Sequence, residues 1–177
     1  MTAPAHDAAS FERAAIDRVR ADLPAADLAA LRASFDLIRT ATRLTHHLES
    51  SVHRPAGWSM AGFRVMFCVW VSDVLEPRDI ARLSGLSRAA VSSVLNTLER
   101  DGLVERSRES DDRRLVTVRL TARGERGVVE AYERQNRLEQ QFFATLDPAE
   151  LDAATEALAA LLAAPPPDPG PDISSNS

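Results

Sequence analysis

Apolar residues recur at spacings of three and four along most of this chain and alternate with polar ones in one short stretch. The pattern therefore predicts helices with a single hairpin. Phe11, Ala15, Val19 and Leu23 form a four-residue stripe, a first helix that Pro24 ends. Asp27 stands where a cap is needed. From Leu28 to about Val52 the positions Leu28, Leu31, Phe35, Ile38, Thr42 and Thr45 alternate threes and fours, close to a coiled-coil seam. Leu37, Leu44 and Leu48 widen that stripe beyond what one small core covers, which points to a partner chain. Near the other end, Asp147-Pro148 starts a helix in which Leu151, Ala154, Leu158 and Leu161 repeat the spacing.

The middle of the chain reads differently. Ser59–Ser72 is densely apolar (Phe63, Val65, Met66, Phe67, Val69, Trp70) and predicts a buried helix. Pro77 opens a short helix to Ser84, Gly85 breaks it, and Ser87 caps another to about Arg100, which Gly102 ends in a left-handed conformation. Leu103–Arg106 and Leu115–Leu120 have strand character, and the polar Ser107–Arg114 joins them. Thr121 begins a helix to about Leu146. Two short helices around a glycine turn, then a hairpin, make a winged helix-turn-helix. The fold class is mainly α with a small β-hairpin wing, flanked by N- and C-terminal dimerisation helices. Residues 57–120 form the DNA-binding lobe, 11–56 and 121–164 the helical dimerisation region with Leu28, Leu31, Phe35, Leu151, Leu158 and Leu161 at the interface. Residues 1–10 and the Pro-rich 165–177 are expected to be disordered.

In such a module the second helix enters the major groove. Its inward stripe is Val91, Val94, Leu95 and Leu98; its other face offers Arg88, Ala89, Ser92, Ser93, Asn96 and Thr97, with Ser87 at the cap. Solvated helix faces usually carry acid–base pairs, whereas this one is hydroxyl-rich and has no acid before Glu99. Arg88 suits a guanine edge or a phosphate, Asn96 suits adenine, and serine can meet either base or phosphate.

Charge qualifies this picture. The chain has 177 residues and a formal net charge of −5, which argues against binding nucleic acid through bulk positive charge. All 21 basic residues are arginine, a uniformity that codon usage would also produce. Between Arg106 and Arg126, however, seven arginines face four acids, a local +3 that leaves the rest of the chain at −8. An arginine at a hairpin tip fits a narrow minor groove. Arg108, Arg113 and Arg114 are the wing candidates, and Asp112 can hold one of them by a bidentate pair. No apolar run approaches the ~20 residues of a membrane span. The N-terminus lacks the features of a signal peptide, so a soluble cytoplasmic protein without membrane contact is expected.

The run Leu83–Gly124 resembles the MarR family of bacterial transcriptional regulators. The likeness rests on Leu-Glu-x-x-Gly-Leu-Val-x-Arg (Leu98–Arg106), the Asp-x-Arg wing (Asp112, Arg114) and the Leu-Thr-x-x-Gly exit (Leu120–Gly124). It implies a homodimer, usually a repressor, on a pseudo-palindromic double-stranded operator, with the helix from Arg88 in the major groove and wing arginines in the minor groove. It also implies release by a small aromatic or anionic effector held between the dimerisation helices and the DNA-binding lobe. Arg43, His46, His47, Arg54, Trp58, Arg64 and Trp70 are the residues near that place. Positions 93 and 97, often basic in the family, are Ser93 and Thr97 here, and an acid typical of urate-responsive relatives is replaced near Arg64.

Other chemistries find little support. No phosphate loop, nucleophile elbow or His-Glu-x-x-His pattern is present, so no enzyme and no catalytic residue is expected. Cys68 is a lone thiol among Phe67, Val69 and Trp70, an inert buried cysteine rather than a redox sensor. His46 and His53 would stand about 10.5 Å apart along one helix, too far to share a metal. No metal and no cofactor is expected.

Overall fold

At the end of the longer helix of the helix-turn-helix, Gly102 takes φ +69° and the Leu103 N–H reaches back to the Leu98 carbonyl (2.9 Å) while Gly102 N–H bonds Glu99 (3.0 Å). This is the left-handed closure that the Leu-Glu-x-x-Gly-Leu run demands, sealed by the buried Leu98 and Leu103 side chains. The computed structural model in which it is seen describes residues 8–108 and 116–165, without the side chains of Ala8, Ala9 and Arg108. In chain order the elements are α1 (Ala8–Asp22), α2 (Leu28–Leu48), a π-helical turn (Glu49–His53), α3 (Met60–Ser72), α4 (Pro77–Ser84), α5 (Arg88–Arg100), β1 (Val104–Arg108), β2 (Val116–Leu120), α6 (Ala122–Phe143) and α7 (Pro148–Ala163).

The chain divides into two compact units within α6, the first ending at Gln135 and the second beginning at Asn136. In the first, α3, α4 and α5 pack around Val65, Met66, Val69, Ile80, Val91 and Leu95, all at 0–1% exposure. β1 and β2 pair antiparallel, with Val104 opposite Leu120 and Arg108 opposite Val116. Leu75 adds one bridge to Val118, exchanging bonds of 3.1 and 2.8 Å, so the segment before α4 ties into the wing. A tight turn at Asp73 (φ +60°) ends α3 and feeds that bridge.

The predicted helix over 28–52 differs in its last turn. Arg54 N–H bonds the Glu49 carbonyl five residues back (2.9 Å), a π turn. The wider turn places the adjacent Val52 and His53 both in the core. At the N-terminus the expected first helix finds its packing partner within its own chain. α1 packs on α2 of its own chain through Phe11 and Phe35 (ring centroids 6.2 Å), buried Ile16, and Glu12 between Arg32 and Arg39. Leu28, Leu31 and Phe35 are thereby half-buried within one chain, while Leu37 and Ile38 stay exposed.

The second unit holds the end of α6 and α7. Asp147 caps α7 with a reciprocal box: its carboxylate accepts from Glu150 N–H (2.9 Å) and Glu150 accepts from Asp147 N–H (2.9 Å). Leu151 is half-buried; Leu158, Leu161 and Leu162 are exposed at 44%, 65% and 87%.

Entry into α6 explains the Leu-Thr-x-x-Gly exit. The Thr121 hydroxyl accepts from Gly124 N–H (3.0 Å) and donates to the Gly102 carbonyl (2.8 Å), while Thr121 N–H donates to the Leu103 carbonyl (3.0 Å). A Cβ on Gly124 would stand 2.0 Å from that carbonyl oxygen. Gly124→Ala is therefore expected to destabilise the chain by about 1–3 kcal/mol or more, read as a lower urea midpoint. An unchanged midpoint would contradict this contact.

Candidate nucleic-acid interface

Backbone geometry places α5 against the core before any side chain faces outward. Pro77 starts α4, Gly85 turns the chain at φ +67°, and the Ser87 hydroxyl accepts from Ala90 N–H (3.1 Å) to start α5. The Arg64 guanidinium donates to the Ser84 carbonyl and so braces the turn from α3. Val91, Leu95 and Leu98 are buried at 0–3% exposure, which fixes the rotation of α5. Arg88, Ala89, Ser92, Ser93, Asn96 and Thr97 consequently share the exposed face, with Ser87 at its N-terminal edge.

Two side chains on this face already have partners. The Thr97 hydroxyl turns back to the Ser93 carbonyl (3.4 Å). Asn96 Oδ1 accepts from Arg106 Nη2 (2.8 Å), and Arg106 Nε lies 3.6 Å from Glu99 Oε2. Arg106 was not among the groove candidates read from sequence, because its partners lie seven and ten residues away on another element. Its only sequence sign is the closing arginine of Leu98–Arg106.

The wing is described in part. β1 carries the backbone of Arg108 to its last rung opposite Val116. Asp112, Arg113 and Arg114 lie outside the described residues, as do the tails 1–7 and 166–177.

The seven residues read as lying near an effector pocket have different surroundings. Arg43 and His46 share an open trough of about 610 Å³ along α2 with Glu12, Asp36 and Arg39. His47 is exposed. Arg54 ion-pairs with Glu49 (3.6 Å). Arg64 is engaged at Ser84. Trp70 is half-buried in a ring cluster with Phe67 (5.6 Å) and Tyr132 (6.4 Å). Trp58 alone walls a cleft of about 360 Å³, opposite a stripe of α6 bearing Arg123, Arg126, Glu130 and Arg134. Gly127 makes this cleft: a Cβ there would stand 2.9 Å from the Trp58 ring. Those arginines escaped sequence reading because they meet Trp58 from some seventy residues away. Among the described residues, no three His, Cys, Asp or Glu gather within reach of a metal ion.

Burial shifts two titratable groups in the first unit. Burial pushes the half-buried Cys68 thiol up, against the pull of the Arg64 charge, so the reactive thiolate is disfavoured. His53 is fully buried and stacked on Phe63 (4.4 Å, 25°). Burial lowers its pKa below 6.5, with the Glu49 carboxylate and the Gln135 side chain opposing.

A helix with one face sealed in the core and the other polar and exposed, braced by a hairpin, defines a winged helix-turn-helix. Comparison with known proteins agrees. The MarR family model matches residues 58–116. YwaE of Bacillus subtilis, a helix-turn-helix transcriptional regulator, is 35% identical over 118 residues, covering 67% of this chain and 69% of its own. Bordetella bronchiseptica BpsR, whose DNA binding is regulated by 6-hydroxynicotinic acid, superimposes with a TM-score of 0.69 at 24% identity, over 74% of this chain and 98% of that one. A mutant of Escherichia coli MarR in complex with operator DNA gives 0.67 at 20% identity, over 81% and 97%. The chain belongs to the MarR family and is a DNA-binding transcriptional regulator.

The His53 shift has a defined sign. A histidine held neutral by burial contributes stability that is present above pH 6.5 and lost as pH falls toward its lowered folded pKa. The urea midpoint of the wild type is expected to fall more between pH 7.5 and 5.5 than that of His53→Phe. Parallel falls in the two proteins would show that His53 is not the group responsible.

Proposed function

We propose that this regulator is a homodimeric repressor that binds a pseudo-palindromic double-stranded operator and is released by a small aromatic or anionic effector. The observation that carries the DNA reading is the two-sided α5. Its buried stripe fixes its rotation, so Arg88, Ala89, Ser92, Ser93, Asn96 and Thr97 are presented together to a major groove. Of these, only Ala89 is apolar, which favours DNA over a protein partner at this surface. The wing arginines Arg108, Arg113 and Arg114 then supply minor-groove and phosphate contacts, with Asp112 orienting one of them. A regulator working on DNA in this way acts in the cytoplasm.

Dimerisation is supported by apolar side chains that one chain leaves in water: Leu37 and Ile38 on α2, and Leu158, Leu161 and Leu162 on α7. Burying such area is worth about 25 cal/mol per Å². For the effector, the Trp58 cleft offers three arginines against one glutamate beside an indole face, a setting that suits a flat anion. The regulated BpsR is a precedent in the same fold.

Two experiments test this reading. Arg114→Ala is expected to weaken operator binding and to reduce the slope of log K against log salt by about 1. Unchanged affinity and slope would remove the wing from the interface. Truncation before Leu151 is expected to convert a sedimenting dimer to monomer. A dimer that survives it would place the interface elsewhere.

A further inference from the structure

Two clefts of the first unit share one wall, the indole of Trp58. On one side lies the cleft of about 360 Å³ with the α6 arginines. On the other, a cleft of about 320 Å³ runs between residues 57–62 and α5, where Ser93, Val94 and Thr97 bound it. Trp58 is half-buried and stands just before the Ser59 cap of α3, after a turn that Gly57 makes at φ +87°. Its side chain therefore belongs to no helix face, and open space adjoins it on both sides.

The ring has no slack toward α6. A Cβ at Gly127 would stand 2.9 Å from Cζ2 and 3.0 Å from Cη2, so anything pressing on this edge must move the indole. The walls give less readily. Arg123 of the first cleft donates to the carbonyl of Asp101, which lines the second (2.9 Å), and this ties α6 to the end of α5. Dense packing steers a displaced ring into open space, and the second cleft is the space available to it. There it meets Ser93 and Thr97, both on the exposed face of α5. We propose that Trp58 relays effector binding to the DNA-reading helix: a flat anion seated against α6 pushes the indole into the second cleft, where it stands beside Ser93 and Thr97 in place of DNA. The relay rests on the first cleft being the effector site and α5 the helix in the groove, and it names the route between them. Linkage requires the converse as well: bound operator, by keeping the second cleft clear of the ring, weakens the anion.

Gly127→Ala reproduces the push without any ligand. In the full chain it is expected to weaken binding to the DNA that the wild type selects by about tenfold. Trp58→Leu removes the ring atoms that the new Cβ would meet. Adding Gly127→Ala to Trp58→Leu is therefore expected to change affinity less than about twofold, whatever Trp58→Leu does alone. Equal losses in both backgrounds, or no loss in either, overturn the relay and leave the effector reading standing. Benzoate, a flat anionic probe, tests that reading separately. Trp70→Phe leaves Trp58 as the only indole, and benzoate is expected to shift its emission and to release the operator together. A shift without release overturns the relay alone; no shift overturns both. Should Gly127→Ala melt out, the benzoate result decides.

Discussion

Leu103 is where three elements of the lobe are fixed to one another. Its N–H closes the end of α5 on Leu98, its carbonyl accepts from Thr121 at the start of α6, and its side chain is buried. β1 begins at the next residue. Because Gly102 must take positive φ and Gly124 must lie against the Leu103 carbonyl, the end of α5, the root of the wing and the first turn of α6 share one geometry. Arg123 adds a bond from its guanidinium to the Asp101 carbonyl (2.9 Å) across the same junction. The exposed face of α5 and the root of the wing are therefore joined through one junction.

On this junction the apolar seam of α5 acts as a rotational lock. Val91, Leu95 and Leu98 each contribute about 1.5–3 kcal/mol when fully buried. Rotating the helix to hide a different face would forfeit that and would bury hydroxyls and an amide without partners. The residues available to DNA are thus selected by what the core excludes. Arg106 donates to Asn96 on that exposed face, and Arg64 braces the glycine turn that sets the angle between α4 and α5.

Much of this was legible along the chain because local signals have local physical causes. Gly85, Ser87, Gly102 and the Asp147-Pro148 start each mark a backbone conformation or a cap, and α4 ends, α5 begins and ends, and α7 begins where those residues place them. The strands were recognised within two residues at their ends, and the long wing connection was visible from its polarity. The π turn at Glu49–His53 was not, since one extra residue per turn leaves no mark on composition. In the structure it shows in the Arg54 N–H bond to the Glu49 carbonyl and in two adjacent residues, Val52 and His53, both being buried. Contacts between distant elements were also beyond reach: α1 lying over Phe35, Arg106 on Asn96, and the α6 arginines facing Trp58. Each depends on a side chain finding a partner that sequence spacing does not announce.

The proposed function requires one arrangement: two copies of α5 in successive major grooves with a wing in the minor groove on each outer side. Hydroxyl-radical footprinting of the chain on DNA it selects tests that arrangement most directly. The account predicts protection symmetric about a dyad, with two half-sites centred about 10 base pairs, or a multiple of that, apart, and outer minor-groove patches beyond them. A single protected patch without dyad symmetry, or symmetric half-sites whose outer minor grooves remain fully open to cleavage, would contradict it.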